Sequence, residues 1–529
     1  MKGLSKSELL LIISLNLVIA IAYYIDNLNA SYSELSSDIQ NIIPVAQKFD
    51  DPELFKEDLY LNTIDNVKYY TPFYVQSLRF IAKFTNYNYV QAINVLGLIC
   101  HLLFGVLWFF LLYKYVNSFW VAFLVSIIIR GVVWLPGLEI WGISDLWTIM
   151  PRTVYITLLP LPFLLISKSF FKLLIAGFLI GLIFNFHPIT GLGGILLFIS
   201  FLVLIPVFNK SIYSFSFKKL LLILISIALG MLPFVLTYFG KTSSEITYDV
   251  NAFNVAFNAR IPEFFSHPLL FLKQWISFKI LFFIIPLFIY YFVSFKRKTA
   301  SNNAKLLLSL TLILVAIPTL SVPIEQLVNK VFNLNLRLSF QLIRVQKVAI
   351  IPGFFAIALL LKNVFKSQQF LQKVQPLIVG LYLVVLVFSQ SQWFKKIPFF
   401  GDDISKTILP HNLSAFSTEK NAELDIDRMA KYLEKHTLTT DLICGSHIYR
   451  GATQRSVIFD GKGASMLIEG NPEQFIYWQQ QQQAINNLKN YKEIVDYLKQ
   501  YKVDYFLTKN KDVPAKLVHT EGDINLYKL

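Results

Sequence analysis

Eleven apolar runs constrain this chain more than any other feature, at residues 8–25, 90–113, 119–135, 152–167, 170–186, 189–208, 218–239, 270–294, 304–322, 345–361 and 375–393. Each approaches the roughly 17–25 residues that a helix needs to cross a bilayer. Only 15% of the 529 residues are charged, against about 25% in an ordinary soluble domain. The expected fold class is therefore a polytopic α-helical membrane protein with about 11 transmembrane helices. The first run follows the basic start MKGLSK, as a signal peptide does. With no small-residue cleavage site before Asp26, it is expected to remain as an anchor. Cys100 and Cys444 are too few for a disulfide framework and read as structural.

Basic residues orient the runs. One set of alternate loops carries Lys2, Lys6, Lys114, Lys168, Lys172, Lys210, Lys218, Lys219, Lys296, Arg297, Lys298, Lys305, Lys362, Lys366 and Lys373, with Glu8 almost the only acid among them. Basic residues in short loops favour the cytoplasm, which puts the N-terminus inside and the C-terminus outside. The long polar segments 26–89, 136–151, 240–269, 323–344 and the tail then fall on the outer face. ATP is an unsuitable direct substrate there, and no GxxxxGK[ST] loop is present. Nucleic acid is excluded as a partner because the net charge of +15 is mostly inner-loop lysine.

Composition divides the chain into a transmembrane module, 1–393, with first outer loop 26–89, and a tail, 394–529. In the tail, 424–436 and the start of 492–510 have helical apolar spacing. The segments 441–447, 455–461, the end of 492–510 and 524–529 read as strands, and QQQQQ at 479–483 as a polar helix or loop surface. The expectation is a small extracytoplasmic α/β domain.

No HExxH, CxxC, GxSxG or glycine-rich dinucleotide fingerprint occurs. The candidates are polar groups at the expected outer boundary. The first loop is acidic, with nine acids but only Lys48 and Lys56 between Asp26 and Asp65. In ELSSDIQNIIPVAQKF, Ile39, Ile42, Ile43 and Ala46 form a helical stripe that suits an amphipathic helix on the membrane surface. Asp38 is either a first-turn residue favoured by the helix dipole or a general base or metal ligand. Asp58, in LFKEDLY, is either a solvated helix end or a second working carboxylate. Arg152 opens an outer span end. Arg130 lies within a span, with Glu139 and Asp145 as expected partners. His187, in NFHPITG, is either a capping residue at a kink or a phosphate contact. Arg337, Arg344 and Lys347, joined by Arg260 and Lys241, are either headgroup anchors or a site for a lipid-linked phosphate.

With these residues placed, the chain resembles the GT-C superfamily of membrane glycosyltransferases, and within it a group of uncharacterised bacterial GT-C-like proteins. The likeness rests on the inside N-terminus, the first loop with SSDIQNIIPVAQKFDDPELFKEDLY, the HP-containing junction at His187–Pro188 and the soluble tail. It implies a polyprenyl-phosphate sugar donor and membrane lipid as partners, with a glycan, lipid or protein acceptor. Asp38 matches the first-loop catalytic carboxylate and Asp58 a later acidic position. Arg152, His187, Arg260, Arg337 and Arg344 are the candidates for the lipid phosphate. Many relatives pair two acids at the first site, where this chain has Ser37 before Asp38. The cofactor thus stays open, with a divalent cation such as Mg or Mn one option and Asp38 and Asp58 its ligands in that case. Lys-, Asn- and Ile-rich usage reads as bacterial, giving an inner (plasma) membrane location. The alternatives are a non-catalytic GT-C-like scaffold or assembly subunit, and a lipid or glycan transporter.

Overall fold

The computed structural model describes residues 3–67, 72–132, 146, 148–208, 216–240, 248–275, 281–297, 301–388, 408–413 and 423–529. Its helices are α1 (Lys6–Asp26), α2 (Ser37–Asp50), α3 (Pro72–Ala82), α4 (Tyr89–Val116), α5 (Phe119–Val132), α6 (Pro151–Leu158), α7 (Pro160–Leu165), α8 (Phe170–Phe184) and α9 (Pro188–Phe208). There follow α10 (Phe217–Phe239), α11 (Val250–Arg260), α12 (Pro268–Trp275), α13 (Leu281–Arg297), α14 (Ser301–Phe332), α15 (Ser339–Leu342), α16 (Ile350–Ser367) and α17 (Gln369–Phe388). The tail adds α18 (Asp425–His436), α19 (Ile448–Thr453), α20 (Leu467–Gly470), α21 (Pro472–Asn486) and α22 (Tyr491–Gln500).

Among the described residues, seven helical segments are long and apolar enough to cross a membrane: α1, α4, α9, α10, α14, α15–α16 and α17. The remaining apolar runs form shorter apolar helical stretches of 10–17 residues, with α6 and α7 together making one of them. The chain is therefore a helical membrane-type protein, and a count of eleven spans goes beyond what these lengths establish. Two runs are divided. Pro160 opens α7 directly after α6, because proline offers no N–H to bond the preceding turn. The run 270–294 is shared by α12 and α13.

Contacts divide the chain into two units, each formed of three segments. One comprises Met1–Leu28, Asn94–Pro233 and Glu263–Thr418. The other comprises Asn29–Ile93, Phe234–Pro262 and Glu419–Leu529. Residues 29–93, which carry Asp38 and Asp58, thus belong to the same compact unit as residues 419–529.

In the membrane unit, α8 and α10 meet through glycines. A Cβ on Gly181 or Gly230 would collide with the opposing backbone, and Asn185 Nδ2 donates across the contact to Gly230 O at 2.9 Å. Close approach of small residues is how membrane helices pack when water drives nothing. Arg130, 1% exposed, joins three helices through neutral groups. Its Nη2 donates to Asn16 Oδ1 and, at 2.8 Å, to His101 O. Its expected partners Glu139 and Asp145 lie outside the described residues.

The second unit is built on a mixed sheet in the order β2-β1-β3-β5-β4, with β1 (Leu442–Cys444), β2 (Ser456–Ile458), β3 (Tyr505–Thr508), β4 (Lys516–Glu521) and β5 (Ile524–Lys528). β1 is parallel to both neighbours, while β5 runs antiparallel to β3 and β4. Alternation along the strands supplies two cores. Ile443, Val457 and Leu507 face Met429 and Leu433 of α18, whereas Leu442, Cys444 and Phe506 face Val495 and Leu498 of α22. Both cysteines are buried and unpaired, and burial pushes the Cys444 thiol up to about 12.

Candidate functional site

The site grows from α2. Ser36 caps it, accepting the N–H of Ile39 at 3.4 Å, and Asp38 falls in the first turn. The apolar stripe of Ile39, Ile42, Ile43 and Ala46 is buried as spaced. However, every residue from Ile39 to Lys48 is buried, which corrects the reading of a helix lying on a membrane surface. Most of the polar face is satisfied by protein, while Asn41 Oδ1 and Gln47 Oε1 are buried without a partner among the described residues. Gln40 Nε2 reaches the carbonyls of Tyr32, Ser33 and Leu35. Gln47 Nε2 donates to Gly451 O at 3.0 Å, and Lys48 Nζ to the carbonyls of Pro52 and Leu54. Helical periodicity cannot distinguish water from a second protein surface, because both accept hydrogen bonds.

The N-terminal turn of α2 meets the carboxyl ends of β1 and β2. Asp38, its side chain 42% exposed, pairs with Lys462 Nζ at 2.9 Å. Two residues on, Gln40 Oε1 lies 3.0 Å from His447 Nε2. Since the Gln40 amide nitrogen is spent on carbonyls, its oxygen accepts and His447 Nε2 carries the proton. Burial lowers the pKa of His447. Lys462 follows β2 and His447 follows β1, so both stand at the carboxyl ends of parallel neighbours. Open α/β sheets commonly bind ligands at that end of their strands. Lys462, His447 and Gln40 were not legible as site residues. The available signal was the turn DGKG after an expected strand, which brings Gly461 and Gly463 to either side of a lysine.

Asp58 has a different environment. Its side chain is fully enclosed and pairs with Arg450, itself 1% exposed, which also holds Asp460. Asp58 further accepts the N–H groups of Tyr60, Leu61 and Val457. The Tyr60 ring lies 4.6 Å from the guanidinium carbon. Asp460 accepts the N–H groups of Lys462 at 2.8 Å and Gly463 at 2.7 Å, so it sets the turn that presents Lys462. Burial raises the pKa of Asp58, with Arg450 opposing. Asp460 is held below the usual range by Arg450 and the two backbone N–H groups despite its burial. Two carboxylates thus share one cation, and Asp58 is closed to a substrate. It ties the first loop to the sheet, and Ser33 ties the same loop to α18, donating through N and Oγ to Asp427.

The other expected residues are distributed over both units. Arg260 ends α11, in the unit of Asp38, with its Nε buried and without a partner among the described residues. Arg152, His187, Arg337 and Arg344 belong to the membrane unit. Arg152 opens α6, and its Nε is likewise buried without a partner among the described residues. His187 precedes α9 and accepts the N–H of Thr190 on Nδ1 at 3.1 Å, a capping contact. Arg344 donates to Gln341 Oε1 at 3.0 Å and lies over the Phe265 ring. It occupies a seven-residue 3-10 segment, Ile343–Ala349, which also buries Gln346 and Lys347. Arg337 lies in the preceding loop, half-buried. Lys241 is outside the described residues.

The donor set does not fit a metal shared by Asp38 and Asp58. An ammonium stands 2.9 Å from the first, a guanidinium occupies the second, and among the described residues no three His, Cys, Asp or Glu side chains cluster. Compared with known protein families and with curated proteins, the chain matches none.

Proposed function

We propose that this protein is a membrane glycosyltransferase of the GT-C type, moving a sugar from a polyprenyl-phosphate donor to an acceptor on the extracytoplasmic face. The observation that carries the reading is the contrast between the two loop carboxylates. Asp58 is sealed, whereas Asp38 is accessible, fixed in the first turn of a buried helix and set beside Lys462, which follows β2. A general base needs that combination of reach and fixed geometry. Asp38 takes the proton of the acceptor hydroxyl as its oxygen bonds to the anomeric carbon. The bond from that carbon to the phosphate oxygen breaks, and the lipid phosphate leaves with the electron pair. The charge that develops there calls for a fixed cation, and Lys462, in the same unit, stands beside Asp38. Asp58 and Arg450 act as positioning residues, holding the loop against the sheet.

The test is turnover of the lipid-reconstituted protein with a panel of polyprenyl-phosphate sugars. Asp38→Asn should lower it about 10²- to 10⁴-fold, the usual contribution of a general base, without changing protein abundance. The pairing of Asp38 with Lys462 favours a second reading, a non-catalytic scaffold. In that case Asp38→Asn leaves cellular function intact and no donor is turned over by the unmodified protein.

A further inference from the structure

A second feature, independent of Asp38, lies wholly within the membrane unit. A cavity enclosing about 970 Å³, counted to its open mouth, runs between α4, α7, α9, α14 and α16. Trp108, Leu197, Leu310 and Ile351 line it and are buried. Its polar wall residues, the exposed Asn303 and the half-buried Tyr115, lie at the start of α14 and the end of α4. Lysines gather at those same helix ends. Lys305 is exposed one turn into α14, Lys362 follows the lining residue Leu359, and Lys114 precedes Tyr115. Lys114 is engaged at the end of α7, donating to the carbonyls of Phe163, Leu164 and Ile166. Lys362 donates to Val116 O, which leaves most of its ammonium for another acceptor.

Water finds almost no hydrogen-bonding partner on such a wall, and an unfilled void forfeits dispersion contacts along its lining. A hydrocarbon chain recovers those contacts. A chain already dissolved in a bilayer gains nothing from leaving water, so selection must come from the mouth, where lysines attract anionic headgroups. We propose that this cavity holds one acyl chain of an anionic phospholipid, with its phosphate at Lys305 and Lys362.

Trp108 allows the site to be read directly, because it is buried and lines the cavity. The full-length protein is reconstituted in vesicles of chain-brominated phosphatidylglycerol or chain-brominated phosphatidylcholine. The Trp108 contribution is the emission lost in Trp108→Phe. The expected result is quenching of that contribution in phosphatidylglycerol and much less in phosphatidylcholine. Leu307→Phe, which fills the cavity, and Lys362→Gln, which keeps a donor for Val116, should both restore emission. Mass spectrometry of co-purified lipid gives a readout independent of these variants and should return phosphatidylglycerol bound one to one. Unquenched Trp108, or equal quenching by both lipids, overturns the proposal. So does recovery of emission on adding a trace of undecaprenyl phosphate, which would assign the site to an isoprenoid chain.

Discussion

Arg450 in one unit and Arg130 in the other are both 1% exposed, and they are supported in different ways. Arg450 lies between Asp58 and Asp460, a cation shared by two anions. Arg130 is held by an amide oxygen and a backbone carbonyl, with His101 Nδ1 at 3.4 Å. Ionic partners make Arg450 indispensable to groups distant in sequence, since losing it leaves two buried carboxylates uncompensated. Neutral partners make Arg130 a polar clamp whose removal strands only groups that can turn to other bonds. Burial alone therefore says little about what an arginine contributes, and the charge of what it touches says more.

The sharpest way to test this contrast is Arg450→Met. Removing one member of a buried ion pair costs about 3–5 kcal/mol, and here two acids are left behind. Amide exchange in 456–463 and in α2 should accelerate together, because both segments depend on the same guanidinium. Independent acceleration of the two would break the coupling. Arg130→Met should have a smaller effect, about 1–2 kcal/mol, since lost hydrogen bonds are partly offset by the roughly 2.5–3.5 kcal/mol cost of a charge in a span. Thermal unfolding in nanodiscs measures it. A loss as large as that of Arg450→Met would show that Arg130 also has an acidic partner.

Acid gives the smallest and most specific test. Asp460 has a depressed folded-state value, so its stabilisation is present above the ordinary carboxylate range and disappears as pH falls through the folded value. Asp58 has a raised value, so its stabilisation is full below the ordinary range and is lost as pH rises through the folded value. Mild acidification should therefore spare the 456–463 exchange rates, and strong acidification should raise them. Faster exchange already in mild acid would contradict the assignment of the two shifts. The Arg130 cluster, with no carboxylate among its described partners, supplies no matching titration.

Strong local signals transferred well from sequence to structure. The helices α18 and α22 and the strands β1, β2, β3 and β5 fall where periodicity and β-branched runs put them, and the glutamine run lies on α21. β4 was not legible, because it is an exposed edge strand without a clean alternation. The turn Gly522–Asp523, with Gly522 at φ +55°, was the signal that could have found it. The site was less legible. Asp38 and Asp58 look alike in sequence, each an acid in a helix-prone loop, yet one is accessible and the other sealed. Their partners Lys462 and Arg450 lie about four hundred residues away, beyond any local pattern.

What the sequence determined by itself follows from short-range physics. Long apolar runs become helices because an apolar environment offers the backbone no other partner, and alternation in the tail becomes a sheet with two buried faces. Which segments join was decided only by tertiary structure. Residues 29–93, 234–262 and 419–529 form one unit because aromatic rings such as Phe253 and Phe475 pack across it, and because buried charges must find opposite charges wherever the chain carries them. That requirement brings Asp58 to Arg450 and, with them, sets Asp38 beside Lys462.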